Sequence, residues 1–328
     1  MASPSLAFII FLVSFAVAFI AFRTAIPLLR RGGIVGRDKH KPNQPEVPEM
    51  GGLFLVAGFS AGIIAAVAFN TFLSRFLSIS LAEILAALSV VLIAALIGII
   101  DDLMRIRQSI KAIIPLFAAL PLIAIRAGDT TMHLAFIGNV DLGLVYSLVL
   151  VPLGVTGAAN AVNMLAGFNG EEAGVGFVAV GSLAVIAYHV HETAALLILV
   201  AALGALLATL YFNWYPSKIF VGDVGTLSIG AIIASAVIIG NFELAGVIVM
   251  IPYILDFLIK ARNRFPTSSY AGSWAICREG KLYCPKTGPM GMGLLIVKLT
   301  GGTKERNVAL ILMGLEAICG GLAIWTFW

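Results

Sequence analysis

Several polar clusters interrupt an otherwise apolar chain, and their side-chain types suggest a chemistry before any element is assigned. Asp101 and Asp102 directly follow the run LIAALIGII, and Lys111 lies a few residues further on. A third carboxylate, Asp223, stands in FVGDVG. Between them, NAVNMLAGFNGEEAG (160–174) offers Asn160, Asn163 and Asn169, then Glu171 and Glu172. Carboxylate oxygens suit a hard ion such as Mg²⁺. Lysine and arginine neutralise phosphate, and an amide both donates and accepts, as a nucleobase edge or a metal-bound phosphate requires. Together these are the parts of phosphoryl transfer, in which positioning and charge neutralisation supply most of the catalysis.

Each part also has a plainer reading. Asp101 and Asp102 could be a solvated helix end, although two negative charges beside a helix C-terminus oppose its dipole and ask for a compensating cation. That cation could be a metal ion, or Arg105 and Arg107. Asp223 could simply cap the helix that follows, worth about 1 kcal/mol, or it could hold a metal or phosphate at a glycine-flanked helix N-terminus. Its spacing leaves the two even. Asn160 and Asn163 share one face if their helix continues through them, and Asn169-Gly170 reads as a turn. A lone asparagine is ordinarily a cap, but three with glycines between are not explained that way. Lys111 could be a snorkelling lysine. The four histidines, His40, His133, His189 and His191, are scattered, and Cys277, Cys284 and Cys319 lack metal-ligand spacing, so neither type supplies a metal site.

The elements that must position these residues are membrane spans. Of the 328 residues, 60% are hydrophobic and 12% charged, about half the charged fraction of a soluble domain. Mean hydropathy is +1.03. Apolar runs of near-spanning length recur along the chain, near 5–29, 51–72, 81–100, 109–126, 143–159, 173–189, 193–212, 224–240, 243–260 and 305–327. The expectation is an all-α polytopic membrane protein of about ten spans, one integral-membrane domain over 1–328. The first run, flanked by MASPS with no positive charge, reads as a retained span and not as a signal peptide. A small external β-hairpin is expected over 130–142, turning around Gly138-Asn139.

Of 21 Lys and Arg, only Arg75 and Arg126 fall on the side that carries the termini. By the positive-inside rule the opposite face is cytoplasmic and both termini lie outside. The net charge of +4 is then an orientation signal, giving no reason to expect a nucleic-acid partner. Almost every unusual polar stretch falls in a cytoplasmic connection: 36–52, 101–111, 160–174, 213–225 and 261–304. Five connections converge on one face. Asp256, within the ninth span, is costly enough in a membrane to suggest a function, without indicating which.

In their order along the chain these motifs resemble those of the polyprenyl-phosphate N-acetylhexosamine-1-phosphate transferases. DKHKPNQPEVPEMGG is similar to that family's first cytoplasmic loop, and GIIDDLMRIRQSIKAIIP to its paired-aspartate segment. NAVNMLAGFNGEEAG matches its asparagine motif, and NWYPSKIFVGD its metal-binding aspartate loop. LTGGTKERN, before the last span, looks like the eukaryotic and archaeal branch that acts on dolichyl phosphate. The bacterial branch has aspartates where this chain has Ala166 and Asn169, and a histidine cluster in a last loop that here, over 261–304, has none. Ala166 cannot bind a metal. The sugar-reading loop is only loosely matched by SWAICREGKLYCPKTG.

The resemblance implies a Mg²⁺-dependent enzyme, with Mn²⁺ as the alternative ion, and often a homodimer. It transfers GlcNAc-1-phosphate from UDP-GlcNAc to a polyprenyl or dolichyl phosphate in the lipid bilayer, releasing UMP, as in the first membrane step of N-glycosylation. Asn163 and Asp223 are implied as metal ligands, Lys111 as a phosphate ligand, and Asp101 and Asp102 as neighbours of the reacting groups. Asn169 would meet uracil, and Asn160, Glu172, Lys39 and Arg278 complete the substrate contacts. An archaeal plasma membrane is the expected location, with the endoplasmic reticulum as the alternative. Two rivals stand beside this reading: the same chemistry with another UDP-sugar, and a nucleotide-sugar transporter. A transporter of inverted repeats should carry broken helices near the midplane of matching halves, whereas these polar motifs gather at one face.

Overall fold

The computed structural model describes residues 4–72, 79–104, 106–134, 138–265 and 274–328; Arg75 and Arg105 lie outside the described residues. Long runs of Leu, Ile, Val, Phe and Ala in hydrocarbon must satisfy their own backbone N–H and C=O groups, and the helix does so within one segment. The long helices are α1 (Pro4–Arg31), α2 (Gly52–Phe72) and α3 (Leu81–Met104). After the shorter α4 (Gln108–Ile113) and α5 (Leu120–Ala124), joined by a 3-10 turn, come α6 (Val151–Leu165), α7 (Glu171–His189), α8 (Thr193–Asn213) and α9 (Gly222–Gly240). The chain ends with α10 (Glu243–Val249), α11 (Ile251–Arg262), α12 (Met292–Leu299) and α13 (Glu305–Thr326).

Among the described residues, eight helices are long and apolar enough to cross a membrane, and nine if α10 and α11, bent by 56°, form one span. The expected count of ten rested on 109–126, where the helix Gln108–Ala124 is shorter than a full span. The prolines explain the breaks. Pro115 and Pro121 start successive short pieces of that segment, and Pro252 opens α11, because proline cannot donate to the preceding turn. The fifth span runs on to Leu165, so Asn160 and Asn163 lie within one helix.

Among the described residues, three antiparallel two-stranded sheets join these helices. The hairpin β1 (Val35–Arg37)–β2 (Glu46–Pro48) shapes the first connection, and β5 (Ile276–Arg278)–β6 (Lys281–Tyr283) the last. The expected hairpin is present as β3 (Thr131–Leu134) and β4 (Gly138–Asp141), but its turn differs. Gly138 and Asn139 pair with Leu134 and His133 inside the ladder, so the connection falls at 135–137, outside the described residues.

Helix α9 is the centre of the bundle, buried from Val224 to Gly240. Its N-terminus touches α3 backbone to backbone: a Cβ on Gly98 would stand 2.4 Å from the Val224 Cα. Only glycine permits that approach, which is how apolar helices gain contact where no hydrophobic drive separates them from lipid. The C-terminal ends of α1, α3 and α6 and the N-terminal ends of α2, α7, α9 and α13 share one end of the bundle, and the polar residues collect there.

Candidate active site

Lys111 organises the first polar cluster. Its Nζ lies 2.5 Å from Asp101 Oδ2 and 2.6 Å from Asp223 Oδ2, bridging α3 and α9. Asp101 is buried, and its other oxygen accepts the Ile106 N–H at 2.8 Å. Lys111 thus compensates the acidic end of α3. Asp102 does something different. Its two oxygens accept the N–H groups of Asp223 at 3.0 Å and Val224 at 3.4 Å, so α3 caps α9 from outside its own chain segment. The N-cap position of α9 is Val221, and Asp223 caps nothing: its carboxylate is turned to Lys111. Gly222 lies between, at φ +72°, with space beside it for the Asp102 carboxylate and none for a Cβ. Thr226, one turn along α9, donates to Asn163 Oδ1 at 3.1 Å and ties α6 to this cluster.

A second cluster forms around Glu305, the first residue of α13. Its Oε1 accepts the Asn169 backbone N–H at 2.9 Å and the Asn169 amide at 2.7 Å, while Oε2 takes the Lys41 ammonium. Asn169 also donates to Asp38 Oδ2 at 2.9 Å, and its Oδ1 is buried without a hydrogen-bond partner among the described residues. Gly170, at φ +82°, turns the chain into α7, and its N–H donates to Asn213 at 3.1 Å. His40 stacks on Phe168 with ring centres 4.5 Å apart. Burial holds its imidazole at a pKa of about 4, against the pull of Asp38, so it is neutral near pH 7. Burial alone would lower the Lys41 ammonium, but the hydrogen bond and charge of Glu305, with the charge of Asp38, raise it.

Two cavities meet at the first cluster. One, of about 820 Å³, is polar and lined by Asp38, Lys39, Asp101, Asn169, Trp274 and Glu305 among others. The second, of about 1360 Å³, is mainly apolar and runs between α6, α9, α10 and α11. Lys111, Glu172, Phe220 and Asp223 line both. A water-soluble, charged reactant and a membrane-bound apolar one would therefore meet at Lys111 and Asp223.

The predicted residues divide accordingly. Asp101, Asp102, Lys111, Asn163 and Asp223 come together. Asn169, Glu172 and Lys39 line the polar cavity, the Lys39 ammonium standing 4.3 Å over the Trp274 ring. Asn160 lines the apolar cavity, but its amide nitrogen is committed to the carbonyls of Ala112 at 3.1 Å and Thr156 at 3.0 Å. Arg278 is exposed on β5 and lines neither cavity. Asp38, His40, Lys41, Thr226 and Glu305 were not expected there. An acidic residue opening a helix is routine, and nothing local distinguishes Glu305 from that use.

The donor set fits Mg²⁺. No group of three or more His, Cys, Asp or Glu among the described residues forms a ready cage, and backbone N–H groups occupy both Asp102 oxygens. Asp101 is likewise taken by the Ile106 N–H and Lys111, so what remains is Asp223 and the Asn163 side-chain amide oxygen, which has a second lone pair free of Thr226. One or two carboxylates completed by substrate phosphates is how Mg²⁺ is usually held.

Residues 84–241 match the model of the family described as glycosyl transferase family 4. A Saccharolobus solfataricus protein provisionally named UDP-N-acetylglucosamine–dolichyl-phosphate N-acetylglucosaminephosphotransferase is 35% identical over 315 residues, 95% of this chain and 94% of that one. The Dictyostelium discoideum protein of the same name is 28% identical, covering 89% of this chain and 81% of its own. A phospho-N-acetylmuramoyl-pentapeptide-transferase of Shouchella clausii is 31% identical over 76% of this chain and 79% of its own.

Proposed function

Since this chain belongs to glycosyl transferase family 4, we propose that it transfers N-acetylglucosamine 1-phosphate from UDP-N-acetylglucosamine to a polyprenyl (dolichyl) phosphate. The products are the polyprenyl-diphosphate sugar and UMP. The observation that carries this reading is the junction of a polar chamber and an apolar groove at Lys111 and Asp223. The nucleotide sugar occupies the chamber and the lipid tail lies in the groove.

The acceptor's phosphate oxygen attacks the β-phosphorus; the new P–O bond forms as the bond from that phosphorus to the bridging oxygen breaks, and UMP leaves. A phosphomonoester has its second pKa near about 6, so the nucleophile is already largely deprotonated at neutral pH and no protein base is needed. Lys111 neutralises charge gathering on the transferred phosphoryl group and the bridging oxygen. Asp101 orients Lys111, and Asp102 fixes the start of α9 so that Asp223 faces the junction. Bound by Asp223 and Asn163, Mg²⁺ would supply Lewis-acid neutralisation of the diphosphate. Asn169, held by Glu305 and Asp38 on the wall of the polar chamber, is the contact for the uracil edge. The site-bearing end is cytoplasmic on this reading, because the lysines and arginines gather there, and the membrane is an archaeal plasma membrane.

The test is UMP release by purified protein from UDP-GlcNAc, with and without polyprenyl phosphate, in Mg²⁺ or EDTA. Release that requires both lipid and Mg²⁺, and is lost in Asp223→Ala, is expected. Binding of UDP-sugars without UMP release under any of these conditions would overturn the reading in favour of transport.

A further inference from the structure

The geometry points to Lys260 as a second cation for the acceptor's phosphate, positioned by Asp256; this rests on the transferase reading. The need for one follows from charge. Lys111 is already in contact with two carboxylates, Asp101 and Asp223, and Asp102 stands beside them; what charge it has serves the transferred phosphoryl group, and little is left for a second anion. A phosphate monoester arriving through the apolar groove carries about −1.5 to −2 charges at neutral pH. Mg²⁺ would be committed to the diphosphate of the donor. Something else on the groove side must receive the incoming headgroup.

Lys260 is in the right place. It lines the same large cavity as Lys111, Asn163 and Asp223. On its own helix Ile254 and Phe257 also line that cavity, as does Met250 at the helix's N-cap, at spacings of four and three that give one face of a helix. Lys260 follows three residues later, at the end of that stripe. The face is apolar where a lipid tail would lie and cationic where its phosphate would stop.

The side chain is also held in place. Asp256, buried and lying within a span, pairs with the Lys260 Nζ at 2.9 Å through Oδ2. Its Oδ1 accepts the Met292 N–H at 2.7 Å, at the start of α12. A carboxylate shared in this way ties α12 to α11. The ammonium donates to the Met164 carbonyl as well, one residue from Asn163. An ammonium has three donors; one is given to Met164, Asp256 holds the charge as an ion pair, and donor capacity remains for a phosphate oxygen. Asp256 is thereby a positioning residue, which accounts for an acidic side chain in a span.

The experiment compares wild type, Lys260→Met and Lys260→Arg in a UMP-release assay with polyprenyl phosphate varied at saturating UDP-GlcNAc and Mg²⁺. UDP-GlcNAc binding and the Mg²⁺ concentration for half-maximal rate are measured in parallel. Losing one charge-assisted contact should raise the acceptor KM of Lys260→Met by about 10- to 100-fold. Lys260→Arg should recover most of that loss. UDP-GlcNAc Kd and the Mg²⁺ requirement should stay within about 2-fold, which is only about 0.4 kcal/mol. An unchanged acceptor KM would overturn the inference. So would a rise accompanied by equal shifts in UDP-GlcNAc Kd and Mg²⁺ requirement, which is the signature of a tie between α11 and α6 that merely supports Asn163. Absence of UMP release by the wild type is a different failure, that of the transferase reading itself.

Discussion

Asp102 separates positioning from chemistry more sharply than any other residue of the site. Its oxygens accept the N–H groups of Asp223 and Val224, two of the donors that a helix N-terminus leaves without partners. Asp102→Ala removes both bonds at a half-buried position. A hydrogen bond to a charged group contributes about 1.5–3 kcal/mol and a lost cap about 1 kcal/mol, so with partial access of water the total should be about 2–3 kcal/mol. At roughly 2–4 °C per kcal/mol for chains of comparable or somewhat smaller size, the apparent Tm should fall by several degrees. The start of α9 would loosen and carry Asp223 away from Lys111, lowering kcat at least about 10-fold, as expected for displacement from a reacting geometry. Asp102→Asn keeps an acceptor oxygen and should retain about half the stabilisation, with activity within about 3-fold of wild type if the role is positional. The assays are thermal unfolding in detergent, followed by size-exclusion fluorescence, and UMP release. If Asp102→Asn is as inactive as Asp102→Ala while both unfold at the wild-type temperature, Asp102 acts as a base or nucleophile and the one-step displacement argued above is wrong.

Other expected outcomes follow from the same geometry. Gly98→Ala forces a Cβ against the Val224 backbone; overpacking of this kind costs about 1–3 kcal/mol and should lower both Tm and kcat, whereas alanine at Gly314, which meets nothing within 4 Å and lines neither cavity, should leave both unchanged. Asn163→Ala should raise the Mg²⁺ concentration needed for half-maximal UMP release with little change in UDP-GlcNAc binding measured in EDTA. His40 has its pKa depressed to about 4 from 6.5; the folded state resists protonation, so stability is full above about pH 6.5 and is lost as pH falls towards 4, by at most about 3 kcal/mol. Replacing it with Phe, which keeps a ring on Phe168, should flatten that acid limb in unfolding measurements between pH 7 and 4. Asn169→Leu should weaken UMP binding measured by calorimetry while leaving the response to acceptor concentration unaltered.

Much of the fold was legible because hydrocarbon imposes a simple rule on a chain. Runs such as those of α2, α8 and α9 can only be helices, and lysine and arginine mark the ends that stay at one surface. The rule weakens where proline and glycine divide a run, which is why 109–126 and 243–260 read as plain spans but are a short broken helix and a bent pair. The hairpin over 130–142 was legible as a pair of strands, but its turn was not, since Gly138-Asn139 signals a turn as strongly as it tolerates a strand end.

For the site, residue type and order along the chain were sufficient to gather Asp101, Asp102, Lys111, Asn163, Asn169 and Asp223 as one chemical set, because charged and amide side chains at the edge of a membrane need a reason to be there. What the sequence by itself could not decide was which of them face a reactant and which support a neighbour. Asp101 and Asp102 are adjacent and identical in type, yet one pairs with Lys111 and the other caps α9. Glu305 and Asp38 are far from Asn169 in the chain but hold its amide, and Arg278, of the right charge, stays away from both cavities. Those differences depend on the direction in which each side chain leaves its helix and on how closely Gly98 lets α3 approach α9. Both are properties of packing, because a hydrogen bond is made or lost within a fraction of an ångström and no local pattern of residues sets positions between helices that finely.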